Sequence, residues 1–141
     1  MSLTLNQIIT QIKGFGTSHP QLNTVLFGEF VEKLDDADII YPAMFFDLAD
    51  AAISEKQIQY NFNIYIMDRH LVETDALEVL SDTNLIMQDI VAEIRNNSND
   101  WETGINIPIT YFREADPDYL AGVRADVSLT LDSLNNRCQI P

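Results

Sequence analysis

From Gln57 to Ile66 every second residue is large and apolar: Ile58, Tyr60, Phe62, Ile64 and Ile66 alternate with Gln57, Gln59, Asn61, Asn63 and Tyr65. A side-chain period of two belongs to a β-strand, so this stretch predicts a strand with one buried face and one polar face. Val123, Ala125, Val127, Leu129 and Leu131 repeat the pattern against Arg124, Asp126, Ser128, Thr130 and Asp132. Two such strands need a second layer over their apolar face. On the other face Gln57, Gln59, Asn61 and Asn63 join Ser128 and Thr130 in a surface that is polar but only lightly charged. A face of that kind suits a subunit contact or the wall of a lumen; an ordinary wetted surface is the competing reading.

The covering layer is legible as two helices. Leu5, Ile8, Ile9, Ile12 and Phe15 recur at helical spacing within Leu3 to Phe15. Thr4 and Gln7 have capping-box spacing, Leu3 and Ile8 can form the hydrophobic staple, and Gly14 and Gly16 predict the end of the helix. A longer helix starts at Thr74 or Asp75, carries Ala76, Val79, Leu80, Thr83, Met87, Ile90, Val91 and Ile94 on one stripe, and stops at Asn96 to Asp100. Two more strands are expected at Ile39 to Leu48, with Pro42 near its start, and at Ile105 to Phe112, where Ile105, Ile107, Ile109 and Tyr111 alternate with Asn106, Pro108, Thr110 and Phe112. The order α-β-β-α-β-β predicts an α+β two-layer sandwich: a mostly antiparallel four-stranded sheet with two helices on one face. With 141 residues and 46% apolar content, a single domain over 1–141 is expected, with a loop-rich segment at 17–38 and a C-terminal tail at 135–141.

Eight basic residues face 22 acidic ones, a net charge of −14. That surface repels phosphates and argues against a nucleic-acid reader or an anionic-membrane binder, while an acidic wall lets duplex DNA pass without sticking. No apolar run is long enough to span a bilayer and the first residues do not read as a secretory signal, so synthesis in the cytoplasm is expected. Cys138 is the sole cysteine, which rules out an intrachain disulfide or a cysteine metal cage within one chain. His19 and His70 lack partners at metal-ligand spacing and read as surface or loop-packing residues. The cluster Asp35, Asp36 and Asp38 lacks the ligand pattern of a calcium loop, and Tyr41, Phe45, Tyr65 and Trp101 lack the basic groove that base stacking requires. The expectation is a non-enzyme without catalytic, cofactor or metal residues.

Several segments carry a resemblance. Ser18-His19-Pro20-Gln21-Leu22-Asn23 with Phe27-Gly28-Glu29, then Ile39 to Met44, the amide-striped strand from Ile58 to Asp68, Asp118 to Val123, and Asn135 to Pro141 together resemble small virion proteins of tailed bacteriophages. The similarity is to neck and tail-completion proteins of phages infecting Bacteroidetes, including the crAss-like group. The element order is also similar to the tail-terminator fold of long-tailed phages, as an analogy of fold.

The resemblance implies a homo-oligomeric ring of six or twelve copies in the virion neck or tail, touching adjacent neck, tail or portal-side proteins, with DNA passing through its lumen. It implies no membrane and no sequence-specific nucleic-acid contact. Candidate subunit-interface residues are Leu22, Val25, Leu26, Phe27 and Phe30, whose apolar pattern has no clean period, and the apolar end Ile140 and Pro141. Candidate channel-facing acids are Asp35, Asp36, Asp38, Asp116 and Asp118. The alternative function is a small monomeric adaptor or assembly chaperone that binds a partner through the polar sheet face.

Overall fold

Thr4 opens the first helix as its spacing to Gln7 implies: the Gln7 N–H donates to Thr4 Oγ1 at 3.2 Å and the Thr4 N–H donates to Gln7 Oε1 at 2.9 Å. The computed structural model describes residues 3–28, 39–69, 76–96, 101–113 and 120–132. Helix α1 (Leu5–Ser18) buries Ile8, Ile12 and Gly16. It runs through both glycines expected to end it and closes at His19, whose N–H donates to the Gly16 carbonyl. Gly16 is a packing residue: a Cβ there would approach Met44 Sδ to 2.7 Å and Val25 Cγ2 to 3.0 Å.

The strands are β1 (Thr24–Phe27), β2 (Ala43–Ile53), β3 (Gln57–Arg69), β4 (Glu102–Thr103), β5 (Ile109–Arg113) and β6 (Leu120–Asp132), with helix α2 (Ala76–Asn96) between β3 and β4. They form one mixed sheet in the order β1-β2-β3-β6, with β4 and β5 both pairing β6. β1 runs parallel to β2 and the other pairs are antiparallel. Among the described residues the fold is therefore α+β with two helices and six strands, two strands more than expected. The short runs Thr24–Phe27 and Glu102–Thr103 were too brief for a clear period, and the pairing that makes them strands is long-range. β2 also begins later than expected, after Pro42, whose carbonyl accepts from the Asn23 N–H.

The register shifts between Leu48 and Asp50, so that Asp50 rather than Ala49 faces Asn61. This bulge turns Asp50 onto the same face as Asn61. On the helix side, Met44, Phe46, Phe62, Ile64, Ile66, Val123, Val127 and Leu129 from the sheet meet Ile8 and Ile12 of α1 and Ile86, Met87, Ile90 and Ile94 of α2. A second, smaller cluster of Ile39, Ala43, Phe45, Met67 and Leu120 lies on the opposite face, flanked by Leu26, Tyr41, Tyr65 and Phe112. Only part of that face is polar. Among the described residues, no helix is long and apolar enough to cross a membrane.

Candidate functional site

The polar part of the open face is a ladder of facing pairs. Gln59 stands opposite Thr130, Asn61 opposite Ser128, Asn63 opposite Asp126, and Tyr65 opposite Arg124. Ser128 Oγ donates to Asn61 Oδ1 at 2.6 Å, and Asn61 Nδ2 donates in turn to Asp50 Oδ1. Arg124 donates from Nε to Asp126 Oδ1 at 2.9 Å and from Nη2 to Asn63 Oδ1 at 3.2 Å, with its guanidinium 5.7 Å from the Tyr65 ring centroid. The amide stripe was legible in the sequence. Beside Asp126, which the alternation already put on this side, the structure adds the carboxylates of Asp47 and Asp50 from β2, so the face is more charged than expected. Its hydrogen bonds are spent inward, and Arg124 is neutralised by its own neighbours.

Asp47 stands opposite Asn63, and among the described residues its buried Oδ1 has no hydrogen-bond partner. Burial raises its pKa above the ordinary carboxylate value, opposed by the Asn63 hydrogen bond and the charge of Arg124. A native pKa above the unfolded one means the folded state holds the extra proton. Stability therefore falls as pH rises from the unfolded carboxylate pKa through the native one. Asp47→Asn is expected to remove that slope. Thermal melts should show a small gain at neutral pH, about 2 °C, that shrinks toward nothing in acid. A variant less stable than the parent at neutral pH would show that the charge is supported there.

His19 lies at the end of α1 with its side chain 10% exposed. Nδ1 accepts from the Gln21 N–H at 3.1 Å, which places the ring proton on Nε2, and Nε2 meets Asp89 Oδ2 of α2 at 2.9 Å. Phe15, Ser18, Ile90 and Glu93 share a hollow of about 600 Å³ with this pair. A histidine and an aspartate beside a serine invite comparison with a hydrolytic triad. In a triad, however, the nitrogen remote from the carboxylate must be free to take the serine proton. Here a backbone N–H occupies it, so the pair ties α1 to α2. Asp89 is 70 residues from His19, and no spacing signal joins them. Among the described residues no group of three or more His, Cys, Asp or Glu could hold a metal ion. His70 lies outside the described residues.

Of the interface candidates, Leu22 is buried in the helix-side core, Val25 and Phe27 pack against that core, and Leu26 packs on the second cluster. Val25, Leu26 and Phe27 belong to β1 at the edge of the sheet. Phe30, Ile140 and Pro141, and the acids Asp35, Asp36, Asp38, Asp116 and Asp118, lie outside the described residues. Among the described residues, exposed apolar side chains missed as interface candidates are Leu77 and Leu85 on α2, Ile40 before β2, Ile53 at the end of β2, and Ile105, Ile109 and Tyr111 around β5. The alternation from Ile105 to Tyr111 shows which residues share a face, but not that the face stays open.

No protein-family profile matches the chain, and no curated protein matches it.

Proposed function

We propose that the chain is a structural subunit of a bacteriophage head-to-tail neck or tail-completion ring through which genomic DNA passes. The observation that carries this reading is the polar sheet face, on which Asn61, Asp50 and Ser128, and Arg124, Asp126 and Asn63, bond to one another. It combines neutral amides with carboxylates, and its Arg124 is held by Asp126 and Asn63. With a net charge of −14 behind it, such a surface gives phosphates no grip and suits a wall past which a duplex slides. Two helices on one sheet face are read as a variant of the tail-terminator-like sandwich, enlarged by the edge strands β1 and β4. The resemblance of the segments around Ser18 to Asn23, Ile39 to Met44 and Asp118 to Val123 supports the same reading.

The test is the solution mass of the purified chain over a wide concentration range, with negative-stain images of the same sample. Discrete particles with a central hole are expected. A strict monomer, absent also from isolated phage particles, would overturn the ring in favour of a monomeric adaptor using the same polar face.

A further inference from the structure

Resting on the ring reading, we propose how one copy meets the next. The α1–β1 flank of one subunit seats against the α2–β5 flank of its neighbour, and the two edge strands pair antiparallel so that the sheet continues from copy to copy.

The topology supplies the two edges. β1 ends the sheet on one side, and β4 with β5 ends it on the other. Among the described residues, neither has a strand partner on its outer side. β1 runs with β2, and each of the next three pairings reverses direction, through β3 and β6 to β5. β5 therefore runs opposite to β1, and laying one copy's β5 beside another's β1 makes an antiparallel pair. The strands match in length, with four and five residues. Thr24-Val25-Leu26-Phe27 contains neither charge nor proline, and β5 has only Arg113, at its end. Edges that must stay unpaired commonly carry charges or prolines that block pairing.

Charge selects a second copy of this chain as the occupant. The first 28 residues, which include all of α1 and β1, contain one Lys and no Asp or Glu, in a chain with 22 acids. On the opposite flank the seam between α2 and β5 is also free of acid, Glu102 of β4 being the acid described on that edge. Two hollows of about 380 and 320 Å³ lie along that seam, lined among others by Leu77, Leu80, Asn84, Val91, Ile109 and Tyr111, and no acidic residue lines either one. Asp89 and Glu93 of α2 line the hollow beside His19 instead. Copies that each carry −14 repel one another, and repulsion is least where both approaching flanks lack carboxylates.

The outer face of α1 also permits close approach. Thr10, Gly14 and Thr17 are exposed, and the two threonine hydroxyls bond back to Asn6 and Lys13 carbonyls within the helix. A Cβ at Gly14 would meet nothing within 4 Å. Nothing within the described subunit requires that glycine, although glycine inside a helix costs about 1 kcal/mol relative to alanine. Two different flanks in contact form a heterologous interface, the kind that closes into a ring when the rotation per copy permits.

The experiment uses the full chain with Cys138→Ser and one new cysteine per variant, either Ile40→Cys beside β1 or Thr110→Cys on β5. Both positions are exposed. The variants, one bearing a size tag, are treated with a short bis-maleimide separately and as a mixture at up to about 1 mM. Cross-linked dimers are expected in the mixture alone. Ile109→Glu, placing a carboxylate on the acid-free flank, is expected to weaken association roughly 100-fold while leaving the circular dichroism of the dilute protein unchanged. Rings in the images with no mixed cross-link would overturn this assignment of flanks and leave the ring reading standing. Dimers formed by either variant alone would replace the head-to-tail contact with a two-fold one. A monomer at every concentration would sink this proposal, and together with absence from isolated phage particles it would sink the ring as well.

Discussion

Replacing Gly122 with alanine is expected to destabilise the subunit by about 3 kcal/mol or more, seen as a fall in melting temperature of roughly 10 °C. Gly122 lies within β6, between Met67 of β3 and Phe112 of β5. A Cβ built there collides with the Ile66 carbonyl oxygen and comes within 2.8 Å of Met67 Cα. These are main-chain atoms of the longest pairing in the sheet, so no side-chain rotation relieves the clash; β3 and β6 must separate locally. Gly14→Ala is the matched control. It adds the same methyl group in open space on a helix and is expected to stabilise the dilute protein by about 0.5–1 kcal/mol. Opposite signs at the two glycines would confirm the close approach of β3 and β6. A melting temperature for Gly122→Ala within about 2 °C of the parent would refute it.

Those two glycines also show what a sequence discloses and what it withholds. The alternation in Gln57 to Ile66 and in Val123 to Leu131 located β3 and β6, because side-chain period is a local property of a strand. The capping box at Thr4 was legible for the same reason. Gly14 and Gly16 were read as a helix stop, yet α1 passes through both. The reason for Gly16 lies in Met44 and Val25, residues brought to it by the tertiary fold. On the candidate face, the amides Gln59, Asn61 and Asn63 could be assigned to one side from their spacing. Asp50 could not, because the bulge before it reverses the side on which later residues of β2 emerge. The His19 and Asp89 pair was invisible for a related reason: a contact across 70 residues leaves no periodic trace.

The placement of charge connects fold to proposed function. Acid is concentrated after residue 28, whereas α1 and β1 form the sheet's first edge and one end of the helical layer. A subunit that must pass polyanionic DNA and also adhere to copies of itself faces two opposed demands. In the proposed ring, segregation meets both: carboxylates on the open face and on the side of α2 beside His19, and flanks poor in carboxylates along α1–β1 and the α2–β5 seam. A monomeric adaptor would have no need to keep both flanks clear.

The second large effect is expected at Trp101, the sole tryptophan. It is 3% exposed, donates from Nε1 to the Ile94 carbonyl of α2 at 2.9 Å, and meets Phe15 of α1 edge-on with ring centroids 6.5 Å apart. One side chain thus holds both helices to the segment that leads into β4. The Ile94 carbonyl lies near the described end of α2, and the indole N–H is a donor brought to it from the next described segment. Trp101→Ala removes both the packing and the donor, and is expected to cost about 3–5 kcal/mol. Trp101→Phe keeps most of the apolar volume and removes the donor, so its cost is expected near 1–2 kcal/mol. Urea denaturation followed by far-ultraviolet circular dichroism measures both variants, since neither retains tryptophan fluorescence. If the phenylalanine variant lost as much as the alanine variant, the hydrogen bond to Ile94 would outweigh the packing. If alanine cost less than about 1 kcal/mol, Trp101 would not be the joint between the two helices and the β4 edge.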